Sequence, residues 1–160
     1  MRQPIEKLIK QYQTNLFVTA FNICKNVEDA KDVVQDTFIA YHTSSQQFHD
    51  EQHIRAWLFR VTVNKAKDTV KSFWHRNRRP LEDYIEALPF ESEEDSYLFE
   101  AVLKLPEKYR IVIHLFYYED WSVREIAQIL RISESNVKTR LSRGRTRLKN
   151  VLKEEWADDE

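Results

Sequence analysis

Residues 122–149 read SVREIAQILRISESNVKTRLSRGRTRLK, and this stretch decides the fold. Ser122 and Glu125 stand three positions apart, the spacing of a capping box, and open a short helix to about Leu130. Arg131 and Ile132 fall in a tight turn, and Ser133 caps a longer helix running to about Lys153. On that helix Val137, Leu141, Gly144 and Leu148 share one side and turn inward. Thr139, Ser142, Arg143 and Thr146 share the opposite side, with Lys138 and Arg145 along one edge and Arg140 and Arg147 along the other. Gly144 breaks a local preference, because glycine inside a helix costs about 1 kcal/mol relative to alanine. A side chain of zero size there permits a close approach by the preceding helices.

A short helix, a tight turn and a longer helix make the shape of a helix-turn-helix that reads DNA. Short hydroxyls between guanidinium groups let a helix sit deep in the major groove. Arginine can then bond a guanine edge in bidentate fashion while flanking cations meet phosphates. The plainer alternative is an amphipathic C-terminal helix with a basic, solvated surface.

The same helical reading extends upstream. Ser92 to Asp95 resembles a capping box before Tyr97, Leu98, Ala101, Val102 and Leu105; Pro106 interrupts, and Glu107 to Tyr118 forms the next helix. In the first half, Ile5, Leu8, Ile9, Tyr12, Leu16 and Ala20 mark a helix to about Lys25. Asn26 ends it and caps a second helix, with Ala30, Val33, Val34, Phe38 and Tyr41 on its apolar side, to about His42. A polar loop follows, and Asp50 caps a third helix from about Glu51 to Asn77. Trp57 and Trp121 are expected to anchor two cores. The fold class is all-α, in two small helical domains.

Composition agrees. Of 160 residues one is glycine and four are proline, too few for a hairpin-rich β fold, and one glycine cannot write a phosphate-binding loop. A single cysteine, Cys24, excludes a disulfide framework and a cysteine-based zinc site; it reads as a small apolar filler. His49 and His53 do not follow the order of zinc proteases, and paired carboxylates with histidine partners on facing helices are lacking, so an enzyme is disfavoured and no metal or other cofactor is expected. No apolar run is long enough to span a bilayer, and the N-terminus is too polar for a secretory signal, so the chain is expected to be soluble and cytoplasmic.

The formal net charge of −1 hides a pattern. Residues 1–80 carry 13 basic and 8 acidic side chains; residues 81–100 carry 8 acidic and none basic; residues 101–153 carry 12 basic and 5 acidic; and 154–160 carry 5 acidic. Two basic blocks therefore flank an acidic segment containing Pro89, as expected at a linker. The expected domains are 1–79 and 96–153, with a linker over 80–95 and an acidic tail over 154–160. On the third helix Arg60, Asn64, Lys67 and Lys71 recur on one polar face, offering charge to phosphates and an amide to a base edge. Phe48, in the loop before it, is either a stacking surface for an unpaired base or an anchor buried on the core.

These residues carry a family resemblance. EDAKDVVQDTFIAYH (28–42) resembles conserved region 2.2 of bacterial sigma-70 initiation factors. RAWLFRVTVNKAKD (55–68) is similar to regions 2.3–2.4 of the extracytoplasmic-function (ECF) group, and residues 105–149 resemble region 4. The motifs keep the family's order and spacing, and the length leaves no room for regions 1.1 and 3 of the large factors, itself the ECF pattern.

The resemblance implies a factor that directs core RNA polymerase to promoter DNA. Asp29, Asp32, Gln35 and Asp36 match the face that docks on the β′ clamp helices; the β flap is a second implied contact. Phe48 and Asn64 match positions holding a flipped base of the −10 element, with Arg60, Lys67 and Lys71 along the strand. Lys138, Thr139, Ser142 and Arg143 match the positions that read the −35 element, with Arg124 and Arg140 on phosphates. An anti-sigma factor is a further implied partner. Ser135-Asn136 stands where Gly-Thr is common, Lys31 where an acid is common, and Ser142 where bulkier side chains occur; these departures bear on the −35 sequence, not on the class. A free-standing helix-turn-helix regulator is the alternative, and it leaves residues 28–42 unexplained.

Overall fold

The computed structural model describes residues 1–73 and 93–158, with side chains as far as 154 in the second stretch. The described residues form helices and no strand. The chain divides into two compact units, Met1–Arg79 and Pro80–Glu160.

In the first unit three helices pack on one another: α1 (Ile5–Cys24), α2 (Val27–Thr43) and α3 (Glu51–Phe73). Each contributes one apolar stripe. Leu8, Leu16 and Phe21 from α1, Val33, Phe38 and Tyr41 from α2, and Ile54, Leu58 and Phe59 from α3 form the core. The turn between α1 and α2 is sharp because Lys25 takes the left-handed conformation (φ 54°). Asn26 then caps α2, its side chain accepting from the Asp29 N–H at 2.9 Å. Asp50 caps α3, accepting from the His53 N–H at 2.8 Å. One polar pair lies inside: the Thr37 and Thr62 hydroxyls are 3.0 Å apart and buried. Thr37 gives its proton to the Val33 carbonyl at 2.8 Å, so Thr62 is the donor between the helices.

The second unit holds α4 (Glu93–Leu103), α5 (Glu107–Ile113), a wider π turn over His114–Tyr118, α6 (Val123–Leu130) and α7 (Glu134–Asp158). The helix expected over 107–118 is thus regular only to Ile113. Beyond it the Glu119 N–H reaches back five residues to the His114 carbonyl at 3.2 Å. The wide turn accompanies a buried pair, His114 Nε2 and Glu119 Oε1, 3.5 Å apart. His114 stacks on Tyr118 at 5.4 Å between centroids. Burial, helped by the Asp95 carboxylate, pushes the Tyr118 phenol well above its ordinary range. Asp120 (φ 58°) and Arg131 (φ 56°) turn the chain into and out of α6. Trp121 is fully enclosed, whereas Trp57 is only half-buried, at the edge of its core.

Of the linker expected over 80–95, residues 80–92, including the Ser92 cap, lie outside the described residues, and Glu93–Asp95 form the first turn of α4. Residues 74–77 of the expected third helix also lie outside them. The acidic tail expected from 154 onward is helical as far as Asp158, since α7 runs on past Lys153.

Gly144 sits at the crossing of α7 and α5. A Cβ there would lie 2.7 Å from Ile113 Cδ1 and 3.3 Å from Tyr109 Cβ. Ile113 is buried, and its Cδ1 and the Tyr109 Cβ would both have to shift to admit the methyl group. Gly144→Ala gains about 1 kcal/mol of helix propensity but incurs about 1–3 kcal/mol of overpacking. We expect a lower unfolding midpoint in urea, lower again for Gly144→Val; a stabilised alanine variant would show that the crossing is loose. Ser122→Ala removes one side of a complete capping box (3.1 and 3.0 Å) and should cost roughly 1 kcal/mol in the same titration.

Candidate nucleic-acid interface

The outward face of α7 follows from its inward one. Val137, Leu141 and Gly144 are buried. Half a turn away, Lys138, Thr139, Ser142 and Arg143 are exposed. Ser133 anchors the start of the helix by accepting from the Asn136 N–H at 3.0 Å. Asn136 in turn accepts from Arg140 Nε at 3.2 Å, which holds that half-buried guanidinium against the helix. Arg124 is exposed in the first turn of α6. The −35 set expected from sequence therefore lies on two consecutive helices, four of its members on one open face.

Three arginines of α7 lie beside tyrosines. Arg145 Nη1 donates to the Tyr117 hydroxyl at 3.0 Å, and Arg147 lies over the Tyr109 ring at 5.1 Å. Burial pushes the Tyr109 phenol up, but the cations of Lys108, Arg143 and Arg147 outweigh it and leave the group below its ordinary value. Arg110, counted in the basic block, is buried and donates to the Leu105 carbonyl at 2.9 Å, so it closes a turn and takes no part in the surface charge.

On α3, Asn64 and Lys71 are exposed and Arg60 and Lys67 half-buried, along a single face. Phe48 is different. It is 3 % exposed, stacked on Tyr41 at 5.7 Å and met edge-on by His53 at 5.0 Å and Trp57 at 5.9 Å. Its ring has no open face for a base, so the stacking role is corrected: Phe48 anchors the loop to the core. An apolar ring in a polar loop gains more from burial than from exposure, which is the alternative the sequence left open.

On α2, Asp32, Gln35 and Asp36 are exposed and Asp29 is half-buried beside the Asn26 cap. Sequence reasoning passed over Ile39, 52 % exposed, one turn from Gln35 and Asp36 and two turns from Asp32 on the same face. Its signal was an apolar residue in register with the acidic face rather than with the core stripe. Arg2 and Tyr117 were also missed; their roles depend on contacts across many residues, and no local pattern marks them. Among the described residues no group of histidine, cysteine and carboxylate side chains is placed to hold a metal ion, and no helix is long and apolar enough to cross a membrane.

Comparison with known proteins places this geometry. The family model described as Sigma-70 region 2 matches residues 8–78, and that described as Sigma-70, region 4 matches residues 96–148. The ECF RNA polymerase sigma factor SigW of Bacillus subtilis (strain 168) is 28% identical over 170 residues, covering 92% of this chain and 88% of the relative. RNA polymerase sigma factor SigV of the same organism is 30% identical, covering 84% of this chain and 82% of the relative. Among solved structures, CnrH in complex with the cytosolic domain of CnrY is 28% identical with a TM-score of 0.69, covering 93% of this chain and 87% of that one. The sigma factor RpoE of Bartonella quintana, solved with the anti-sigma factor NepR, shares the fold at 21% identity and a TM-score of 0.71, covering 92% of this chain and 96% of that one. With both regions matched in order, and relatives alike over most of their length, the chain belongs to the sigma-70 family of RNA polymerase sigma factors, in its ECF group.

Proposed function

We propose that this chain, as an ECF sigma factor, directs core RNA polymerase to promoters by reading two elements with its two units. The observation that carries the reading is the exposed Lys138, Thr139, Ser142 and Arg143 face of α7, backed by the buried Val137, Leu141 and Gly144. In the major groove of the −35 duplex, Arg143 takes a base edge, Lys138 and the hydroxyls of Thr139 and Ser142 flank it, and Arg124 and Arg140 meet phosphates. The first unit engages the −10 element: Asn64 bonds an unpaired base, and Arg60, Lys67 and Lys71 hold the strand. Trapping extruded bases supplies the free energy of opening without a covalent step or a cofactor.

Asp29, Asp32, Gln35 and Asp36 dock on the β′ clamp helices of core polymerase, and the second unit meets the β flap. Charge complementarity at such a face governs encounter rate and orientation. The domain organisation suits this division, with one reader in 1–79, the other in 96–153 and the acidic stretch between them. The protein works in the bacterial cytoplasm, where the chromosome is, and is held inactive by an anti-sigma factor. The complexes of CnrH with CnrY and of RpoE with NepR support that partner by analogy.

The test is co-elution of the purified protein with core polymerase, followed by run-off transcription from a genomic fragment library. Association with new, discrete start sites is expected; a protein that ignores core yet shifts a defined duplex alone would be a free-standing regulator instead. In the reconstituted holoenzyme, Arg143→Ala should weaken −35 recognition by roughly 1–3 kcal/mol and relax preference at one position; an unchanged preference removes Arg143 from the base-reading set. Arg124→Ala should lower affinity evenly across sequences and reduce the salt slope by about 1, and an altered base preference would mark a base contact. Asp32→Lys should abolish binding to core while leaving the fold intact by circular dichroism; retained binding would refute the docking face.

A further inference from the structure

The loop over residues 44–50 joins α2 to α3, and its shape is held from an unexpected place. Arg2 Nη2 donates to the Tyr41 carbonyl at 2.6 Å, and Nη1 donates to the Gln46 carbonyl at 2.7 Å. The same guanidinium lies 4.3 Å above the centre of the Tyr41 ring and 5.9 Å from that of Phe48. One side chain therefore ties the last turn of α2 to the middle of the loop with two charge-assisted bonds and a cation–π contact. A cation at a helix C-terminus also meets the negative end of the helix dipole.

Neighbouring bonds point the same way. The Phe48 N–H donates to the Met1 carbonyl at 3.2 Å. The Tyr41 hydroxyl accepts from the Gln3 N–H at 2.9 Å and donates to the Gln3 carbonyl at 3.0 Å. The loop is thereby pinned at Gln46 and Phe48, while the Gln46, Gln47 and His49 side chains stay exposed. The loop runs directly into α3, and Arg60 lies nine residues beyond Glu51, or about 14 Å along the helix. A strand laid along the basic face of α3 toward its N-terminus reaches this loop, where exposed amides can bond the edge of an unpaired base.

We propose that Arg2 is the positioning residue of this loop, setting the backbone register in which it meets an unpaired −10 base. The proposal rests on the reading of the first unit as the −10 reader. It assigns Arg2 no contact with DNA; Arg2 acts through the Gln46 and Tyr41 carbonyls. Lysine cannot replace it fully, because an ammonium lacks the planar fork that spans two carbonyls while lying flat on a ring.

The experiment uses the full chain assembled with core polymerase. Arg2→Ala is expected to speed amide exchange over residues 44–48, reduce permanganate reactivity of −10 thymines severalfold, and change base preference at one −10 position in a randomised promoter library. Preference at −35 and affinity for core should stay as in the parent, and Arg2→Lys should restore opening only in part. A shifted preference at a single position separates positioning from general loss of stability. Asn64→Ala runs in parallel as the check on the underlying reading. If Asn64→Ala impairs −10 opening while Arg2→Ala leaves opening and preference unchanged, the proposal is overturned and the −10 reading stands. If neither variant affects the −10 element, the −10 reading fails and the proposal falls with it.

Discussion

The second unit is built around the close approach of Gly144 to Ile113. At that crossing α7 approaches α5 so closely that even a methyl group would meet Ile113 Cδ1 at 2.7 Å. Helices with ordinary side chains at the contact stay about 8–10 Å apart. Removing the side chain at one position brings them closer and fixes the rotation of α7 about its own axis. Val137 and Leu141 then face the core, and Lys138, Thr139, Ser142 and Arg143 must face out. The exposed face of α7 is the geometric complement of its packing face, and the only glycine in the chain lies on the packing side.

Turns elsewhere are made without glycine. Lys25, Asp120 and Arg131 all adopt positive φ, at some steric cost for residues with a Cβ. Each cost is met locally: the Lys25 N–H bonds the Phe21 carbonyl at 2.8 Å, the Trp121 N–H after Asp120 bonds the Leu115 carbonyl at 3.0 Å, and the Ile132 N–H after Arg131 bonds the Ala127 carbonyl at 3.1 Å. Buried polar groups are likewise placed between elements. Thr37 and Thr62 pin α2 to α3, and His114 with Glu119 spans the π turn that leads into α6. Such pairs add little net stability, but leaving one partner alone in an apolar core is costly, which favours one arrangement over its neighbours.

Charge is deployed on faces rather than in bulk. The near-neutral total gives no hint of a polyanion partner, whereas the basic faces on α3 and α7 do; the acidic face on α2 suits a basic partner instead. Basic residues within one block are not equivalent: Arg110 is buried on a carbonyl, Arg143, Arg145 and Arg147 are exposed but lie beside tyrosines, and Lys138 is exposed on the same face as Arg143.

The sequence by itself determined the helical class, the caps at Asn26, Asp50, Ser122 and Ser133, and which side of α7 faces out. These are local matters of periodicity and of side chains bonding the backbone three residues on, so they can be read within a few turns of chain. It also carried the family, through motifs kept in order. Only the tertiary structure decided the fate of Phe48, the widening of the helix at His114, and the strap from Arg2 to Tyr41 and Gln46. Each turns on a partner far away in the chain: Phe48 meets Trp57 and Tyr41, and Arg2 reaches across 39 and 44 residues. An aromatic ring in a polar loop has two good solutions, exposure to a ligand or burial on a core. The choice depends on whether the fold leaves a space of the right shape, and no local pattern in the chain records that.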